Sequence, residues 1–360
     1  MSSNSPKLLI DVGKLRHPNN GLDTYIRSYL SQLEALPQAE EFDIHLLTPR
    51  SGIPNFSTKF KCIKQSNFKQ LQSRSLVKEF DLWHSPFHSE NRVPQSNHCK
   101  HIATIHDFNP FYEKPHKKDK YLKQSLHYLR HCDHLVCISK FTAQELSKYY
   151  PTLSHIPRQV IYNGVSEAQT GEKPSGELPE RFLFSLGAFM KKKNYEAIIA
   201  MMPHIDENTH LVIAGSRSGS YIDHLKKQID ELNINDRVHL LANISNSTKN
   251  WLLENCDAFL FPSKLEGFGL PPIEAMKHGK TAFIFDKTSI PEVVGDAGLI
   301  WKDEAPLAMA SLVNQFLNEE KHLSDTQTQL NLDHSSQFSW EKMTLSYLEL
   351  FTQLLTNNHS

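Results

Sequence analysis

Short apolar runs alternate along the chain with stretches whose apolar positions recur every three or four residues. The first run, residues 8–12, has the continuous apolar character of a strand buried on both faces. Past a loop over 13–20, Leu22, Tyr25, Ile26, Tyr29, Leu30 and Leu33 fall on one helical face. Further strand-like runs cover 42–47, 82–84, 101–105, 134–138 and 160–162, with helical stretches at 120–130 and 142–149. Residues 166–180 are rich in Glu, Gly, Pro and Ser and read as a linker or surface loop. The alternation then resumes, with strands at 182–186, 211–214, 238–241, 258–261 and 282–285 and helices at 195–202, 222–232 and 248–255. A last helix opens after Ser339, a candidate N-cap, with Leu345, Leu348, Phe351 and Leu355 apolar. Strand–helix alternation predicts a parallel sheet covered on both faces, here twice over. The fold class is therefore α/β, with doubly wound, Rossmann-like domains at 1–165 and 181–337, a linker at 166–180 and a closing segment at 338–360.

Composition narrows the picture. At 360 residues the chain suits two domains better than one core. Its 39% hydrophobic and 10% aromatic content supports packed cores rather than disorder. A net charge of −1 gives no general attraction to nucleic acid, and no nucleic-acid partner is expected. Cys62, Cys99, Cys132, Cys137 and Cys256 are scattered and odd in number, which favours a reducing compartment. The N-terminal residues lack the apolar core of a signal peptide, and no window approaches about 18 consecutive apolar residues. The expectation is a cytoplasmic chain whose membrane contact, if any, is peripheral. His84, His88, His98, Cys99, His101 and His106 match no familiar zinc spacing, so no metal site is expected.

The candidate chemistry centres on residues 263–279. An apolar strand at 258–261 leads into a glycine loop, and Pro271 and Pro272 suit the first turn of a helix that Gly279 would end. Glu266 opens the loop and Glu274 is expected in the first helical turn. Gly267 and Gly269 remove side chains, so backbone N–H groups can approach a ligand. The helix N-terminus favours phosphate, and carboxylates accept hydrogen bonds from neighbouring hydroxyls. Phosphate on amides flanked by carboxylates describes a nucleotide-sugar site; a capped helix after a glycine turn is the plainer alternative.

The stretch Glu266-Gly-Phe-Gly-Leu-Pro-Pro-Ile-Glu274-Ala-Met resembles the signature of the large retaining family-four glycosyltransferases of GT-B fold. That resemblance implies two domains facing across a cleft, with the C-terminal helix crossing back to the first. It implies that Glu266 contacts the sugar hydroxyls and Glu274 the ribose, with Gly267, Phe268, Gly269 and Leu270 completing the donor loop. Lys193-Asn194 matches the family's diphosphate-gripping element, and Lys192 takes a place often held by arginine. Lysine there keeps the charge and loses bidentate geometry.

In the first half the same resemblance points to Gly21, near the donor phosphates, although Gly21-Leu-Asp-Thr-Tyr25 departs from the commoner Gly-x-Gly form. It points also to His106 after the 101–105 strand and to Ser139. His106-Asp107, followed by Pro110, resembles a mannosyltransferase-type subgroup; on chemistry alone His106 is equally a structural histidine and Asp107 a turn cap. Asn163-Gly164 marks the passage between domains, and Trp340 packs the crossing helix. Residues 289–295 resemble a closing, mainly structural element. Arg217 is either near the nucleotide or on a surface loop.

The function implied is transfer of a hexose from a nucleotide diphosphate donor to an acceptor hydroxyl of a glycan or glycolipid, such as lipopolysaccharide. GDP-mannose is favoured over a UDP-sugar. His106, Lys193 and Glu266 are the catalytic candidates, and the family implies no cofactor and no metal. The basic stretch 112–123 is a contact to an anionic membrane on its inner face, a contact to an acidic lipid-linked acceptor, or a solvated helix face. Two other classes remain in view. One is a catalytically silent nucleotide-sugar-binding protein of the same fold. The other is a two-lobed solute-binding protein, against which stand the strong motif and the missing export signal.

Overall fold

The computed structural model describes residues 5–15, 21–53, 58–88, 93–174, 178–216, 220–318 and 321–356, with 321–324 by backbone alone. The chain forms two compact units. The first is Met1–Gly164 with Ser339–Ser360, and the second is Val165–Phe338.

The first unit holds a sheet of seven strands: β1 (Lys7–Asp11), β2 (Asp43–Thr48), β3 (Lys61–Lys64), β4 (Leu82–Ser85), β5 (Lys100–Ile105), β6 (His134–Cys137) and β7 (Arg158–Val160). All pair in parallel, in the order β3-β2-β1-β4-β5-β6-β7. β4 and β6 are buried along their whole length, as parallel strands covered on both faces should be. β3 has no counterpart in the hydrophobic pattern. It is an edge strand of sequence Lys-Cys-Ile-Lys, exposed except at Ile63, so it carries no apolar run. β7 begins two residues before the apolar run that marks it, because the polar Arg158 and Gln159 pair with Leu135 and Val136.

Helix Gly21–Ala35 buries Tyr25, Ile26, Tyr29, Leu30 and Leu33, the face its spacing predicts. The final helix, Trp340–Thr356, packs in the first unit, and Ser339 Oγ accepts the Lys342 N–H at 3.1 Å as its cap. Its buried face is centred on Met343, Tyr347, Leu350 and Phe351, turned from the expected one, since Leu345 and Leu355 are only half-buried. Tyr347 enters a buried polar chain. Tyr25 donates to its hydroxyl at 2.9 Å, it lies 2.8 Å from Thr104 Oγ1, and Thr104 lies 3.0 Å from His84 Nε2. Tyr29 OH completes the chain, 3.3 Å from His84 Nδ1. Buried hydroxyls need such partners to offset lost hydration.

The second unit has six parallel strands: β8 (Phe182–Leu186), β9 (His210–Gly215), β10 (Val238–Ala242), β11 (Ala258–Phe261), β12 (Ala282–Phe285) and β13 (Leu299–Trp301). Their order is β10-β9-β8-β11-β12-β13. Its core joins Leu183, Ile199, Leu211, Ile213, Phe283 and Trp301. The first described part of 166–180 is fixed to this unit rather than free. Lys277 Nζ lies 2.6 Å from Glu167 Oε1, and the Glu172 N–H donates to Ser247 Oγ at 3.0 Å. Both sheets with their flanking helices give the doubly wound α/β class of the sequence analysis.

Candidate active site

β8 and β11 are neighbours in the second sheet, so the loops leaving their carboxyl ends adjoin. Ligands of parallel sheets bind at that edge. After β8 the three lysines form a 3-10 turn, Lys191–Lys193, and Asn194 takes the left-handed conformation at φ 55° before helix Tyr195–Met201. After β11 comes the glutamate–glycine loop. The two loops are tied by backbone: the Lys264 N–H donates to Lys192 O at 2.9 Å. Ser263 Oγ lies 3.3 Å from the same carbonyl.

Glu266 is the focus of this pairing. Its Oε1 accepts from Ser263 Oγ at 2.7 Å and from Lys193 Nζ at 2.5 Å. The Lys193 and Glu266 side chains are 12% and 14% exposed, so the charges pair in a partly dehydrated setting where attraction is stronger than at the surface. Lys193 Nζ also sits 5.0 Å from the centre of the Phe261 ring. Burial, and next the Glu266 charge, hold the Tyr195 phenol well above its ordinary pKa, and its hydroxyl donates to Gly187 O at 2.9 Å. The loop is pinned from behind: Thr288 Oγ1 accepts the Glu266 N–H at 3.2 Å, and Ser289 Oγ reaches both Glu266 O and Phe268 O at 3.1 Å. The segment 289–295 thus supports the loop directly, through a hydroxyl that sequence spacing does not reveal.

Gly269 is the N-cap of helix Leu270–Lys277, with φ 107°, a conformation that favours glycine. Gly267 and Phe268 are buried, and the Phe268 ring packs edge-on to Phe338 at 5.7 Å. Leu270 is half-buried, and of the first three helical residues it alone keeps an N–H, because Pro271 and Pro272 follow. The helix starts before the prolines rather than at them. Glu274 is therefore its fifth residue, in the second turn rather than the first, and its support from the helix dipole is correspondingly weaker. Its partner is one the sequence hides. Lys249 Nζ, from helix Asn246–Asn255, lies 2.8 Å from Glu274 Oε1, with side chains 23% and 19% exposed. Only the folded sheet brings these residues together, so no local signal marks Lys249.

The remaining candidates belong to the first unit. His106 follows β5; its Nε2 donates to Pro86 O at 2.7 Å and its ring meets Tyr25 edge-on at 4.7 Å. Burial is the main cause that pushes its pKa down to about 4, so near neutral pH it is uncharged and Nδ1 keeps its lone pair. Asp107 accepts from Asn109 N at 3.0 Å and Asn109 Nδ2 at 2.9 Å, which is turn-forming work. Ser139 is fully buried, and its Oγ accepts the Thr142 N–H at 3.0 Å. It caps a helix that starts at Lys140, two residues before the expected start. Gly21 is exposed and opens the first helix rather than a turn; an added Cβ meets nothing within 4 Å. Arg217 lies outside the described residues.

His84 and His101 sit in separate hydrogen-bonded surroundings, and among the described residues no three His, Cys, Asp or Glu side chains are grouped to hold a metal ion. No helix of the described residues is long and apolar enough to cross a membrane.

Residues 169–330 match the family described as glycosyl transferases group 1, and residues 20–169 match glycosyltransferase family 4. The serotype-specific mannosyltransferase WbdA of Escherichia coli is 25% identical over 279 residues, covering 72% of this chain; the chain spans only 34% of that protein. The O-antigen chain mannosyltransferase B of Escherichia coli is 23% identical, with 97% of this chain and 100% of that protein covered. Among solved structures, the sucrose-phosphate synthase of Thermosynechococcus elongatus superposes with a TM-score of 0.76 at 18% identity, over 98% of this chain and 100% of that one. Taken together, the paired sheets, the glutamate loop and two family matches running from residue 20 to residue 330 establish that the chain belongs to the GT-B glycosyltransferases.

Proposed function

We propose that the chain transfers a mannosyl group from GDP-mannose to a hydroxyl of a glycan or lipid-linked acceptor, with retention of configuration and without a metal ion. The observation that carries the reading is the Lys193–Glu266 pair, held by Ser263 where β8 and β11 end. Lys193 turns from Glu266 to the donor diphosphate and offsets charge developing on the leaving group. Glu266, released, accepts from the sugar hydroxyls, while Glu274 accepts from the ribose with one oxygen kept in place by Lys249. The anomeric C–O bond to phosphate breaks as the acceptor oxygen bonds the same face, and the acceptor proton passes to a phosphate oxygen. In the first unit, neutral His106 offers Nδ1 as an acceptor for a ligand hydroxyl. Ser139 acts by fixing the strand-to-helix turn behind His106, and Gly21 by its place at the first helix's N-terminus. The names of the mannosyltransferase relatives support mannose and an O-antigen type of acceptor. Cytoplasmic residence, with access to the inner membrane face, fits such an acceptor.

Thermal shift of the full chain against a panel of nucleotide sugars tests the donor, because a ligand of the folded state raises the melting temperature. GDP-mannose and GDP are expected to raise it equally with magnesium or with a chelator; a response to UDP-sugars alone replaces the donor. NMR of the product from an α-linked donor should show an α-mannoside, and a β-product overturns retention. Lys193→Ala is expected to slow transfer about a hundredfold or more. Full activity in that variant removes the role assigned to Lys193.

A further inference from the structure

β12 ends at Phe285, beside β11 in the sheet, and the chain then turns through Asp286 and Lys287 into Thr288. Thr288 has φ 55°. That left-handed region suits glycine and is tolerated by asparagine; a β-branched side chain is costly there, because it crowds its own backbone. Among the described residues the other non-glycine positions of positive φ are Asn194, Asn233 and Asn243, all asparagine. Thr288 is the exception, and it stands against the glutamate loop. Its hydroxyl accepts the Glu266 N–H at 3.2 Å, and the next hydroxyl, that of the fully buried Ser289, reaches Glu266 O at 3.1 Å. Consecutive side chains point to opposite faces of a strand and lie about 100° apart on a helix. The left-handed residue overrides both patterns, so two adjacent hydroxyls meet the two backbone polar groups of one residue.

We propose that Thr288 is a positioning residue for sugar transfer: its strained backbone aims the hydroxyl at the Glu266 amide and so fixes where the Glu266 carboxylate stands. The inference rests on the donor-sugar role proposed above for Glu266 and adds the group that sets its place. Glu266 has to leave Lys193 and take the sugar hydroxyls by side-chain rotation alone. Thr288 on its N–H and Ser289 on its C=O keep the backbone still while it does so. A misplacement of about 1 Å at such a contact can slow a reaction about a hundredfold. Glu274 and Lys249 lie on helices Leu270–Lys277 and Asn246–Asn255, outside this hold, so nucleotide contact does not depend on Thr288. Backbone strain collects where function needs a shape that local preference opposes.

Two variants of the full chain test this. Thr288→Gly removes strain and hydroxyl together, and Thr288→Ser keeps the hydroxyl. Without donor, Thr288→Gly should melt within about 3 °C of wild type, because relief of strain offsets the lost hydrogen bond. Hydrogen exchange over residues 263–269, read by mass spectrometry, should nonetheless rise about fivefold. With GDP-mannose, or whichever donor wild type takes, kcat/KM should fall about tenfold or more. GDP affinity should stay within about twofold, as for an independent site. Thr288→Ser should bring exchange and kcat/KM back to within about threefold of wild type. Three results overturn the proposal. One is Thr288→Gly with wild-type exchange and kcat/KM. Another is Thr288→Ser as slow as Thr288→Gly, which assigns the effect to the methyl group. The third is a loss of about 8 °C or more together with GDP affinity, as for a residue that only supports the fold. Wild type that takes no nucleotide sugar ends the donor reading and the transfer role with it; the exchange contrast, which needs no donor, separates that failure from failure of the Thr288–Glu266 bond.

Discussion

His84 and His101 are buried almost completely, and in each both ring nitrogens lie within hydrogen-bond range of a side-chain group. Burial is the largest cause that pushes each pKa down to about 3. Unfolded, a histidine takes its proton near pH 6.5. Between about 6.5 and 3 the unfolded chain therefore holds more protons, so stability present above 6.5 is lost as the pH falls. From pH 7 to 5.5 the two together remove about 2.5 kcal/mol. Urea unfolding across that window should show the loss, deepened by His88 and His106, which burial lowers to about 3 and about 4, and His84→Gln should make it shallower by about 1.3 kcal/mol. A flat wild-type profile rules out this linkage. Lys249 gives a second test. Lys249→Met frees the Glu274 carboxylate, and GDP affinity measured by calorimetry should fall about tenfold, as for loss of one charge-assisted hydrogen bond. Lys249→Arg should retain most of the affinity. Equal affinity in wild type and Lys249→Met removes Lys249 from the site.

Two glycines separate space from sequence in the elements. At Gly215, the end of β9, an ideal Cβ would lie 1.9 Å from Gly187 O, a backbone atom that cannot swing aside. Gly215→Ala should cost about 3 kcal/mol and disturb the Gly187 turn that leads to Lys193. Gly21→Ala enters open space at a helix start and should leave stability within about 0.5 kcal/mol of wild type. Thermal denaturation of the two variants compares them directly, and equal losses refute the distinction. The same contrast explains what was legible. Strands such as β1 and β11 announce themselves as apolar runs because both faces are covered. β3 and β13 lie at sheet edges; β3 has one apolar residue besides its cysteine, and β13, though all apolar, is only three residues long. Helix Lys140–Tyr149 begins two residues before the periodic stretch at 142–149, because its cap, Ser139, sits against an apolar strand end.

For the chain as a whole, hydrophobic period gave the doubly wound class, and one loop of eleven residues carried the family. Lys193 and Glu266 were legible singly, as members of two motifs; that they form an ion pair in one unit was not, since 73 residues separate them. Lys249 and Thr288 gave no signal, and Ser289 only as the start of a structural element, because their roles exist only once strands adjoin. A chain ending at Phe338 tests the division into units. The second unit should resist limited proteolysis, while the first, lacking Tyr347, should be cut readily. Equal resistance of both would show that Trp340–Thr356 is dispensable to the first unit.

That arrangement also orders synthesis in time. The ribosome makes most of the first unit, then the whole of the second, and only then the helix that seals the first. The second unit has all its residues before its elder can finish. Throughout that interval Thr104 and Tyr25 wait for the hydroxyl of Tyr347, and the apolar surface that Phe351 will cover stays open to other chains. Slow translation of the second unit prolongs that exposure. Aggregation during expression should therefore respond to codon choice between 165 and 338 more than to changes near the start.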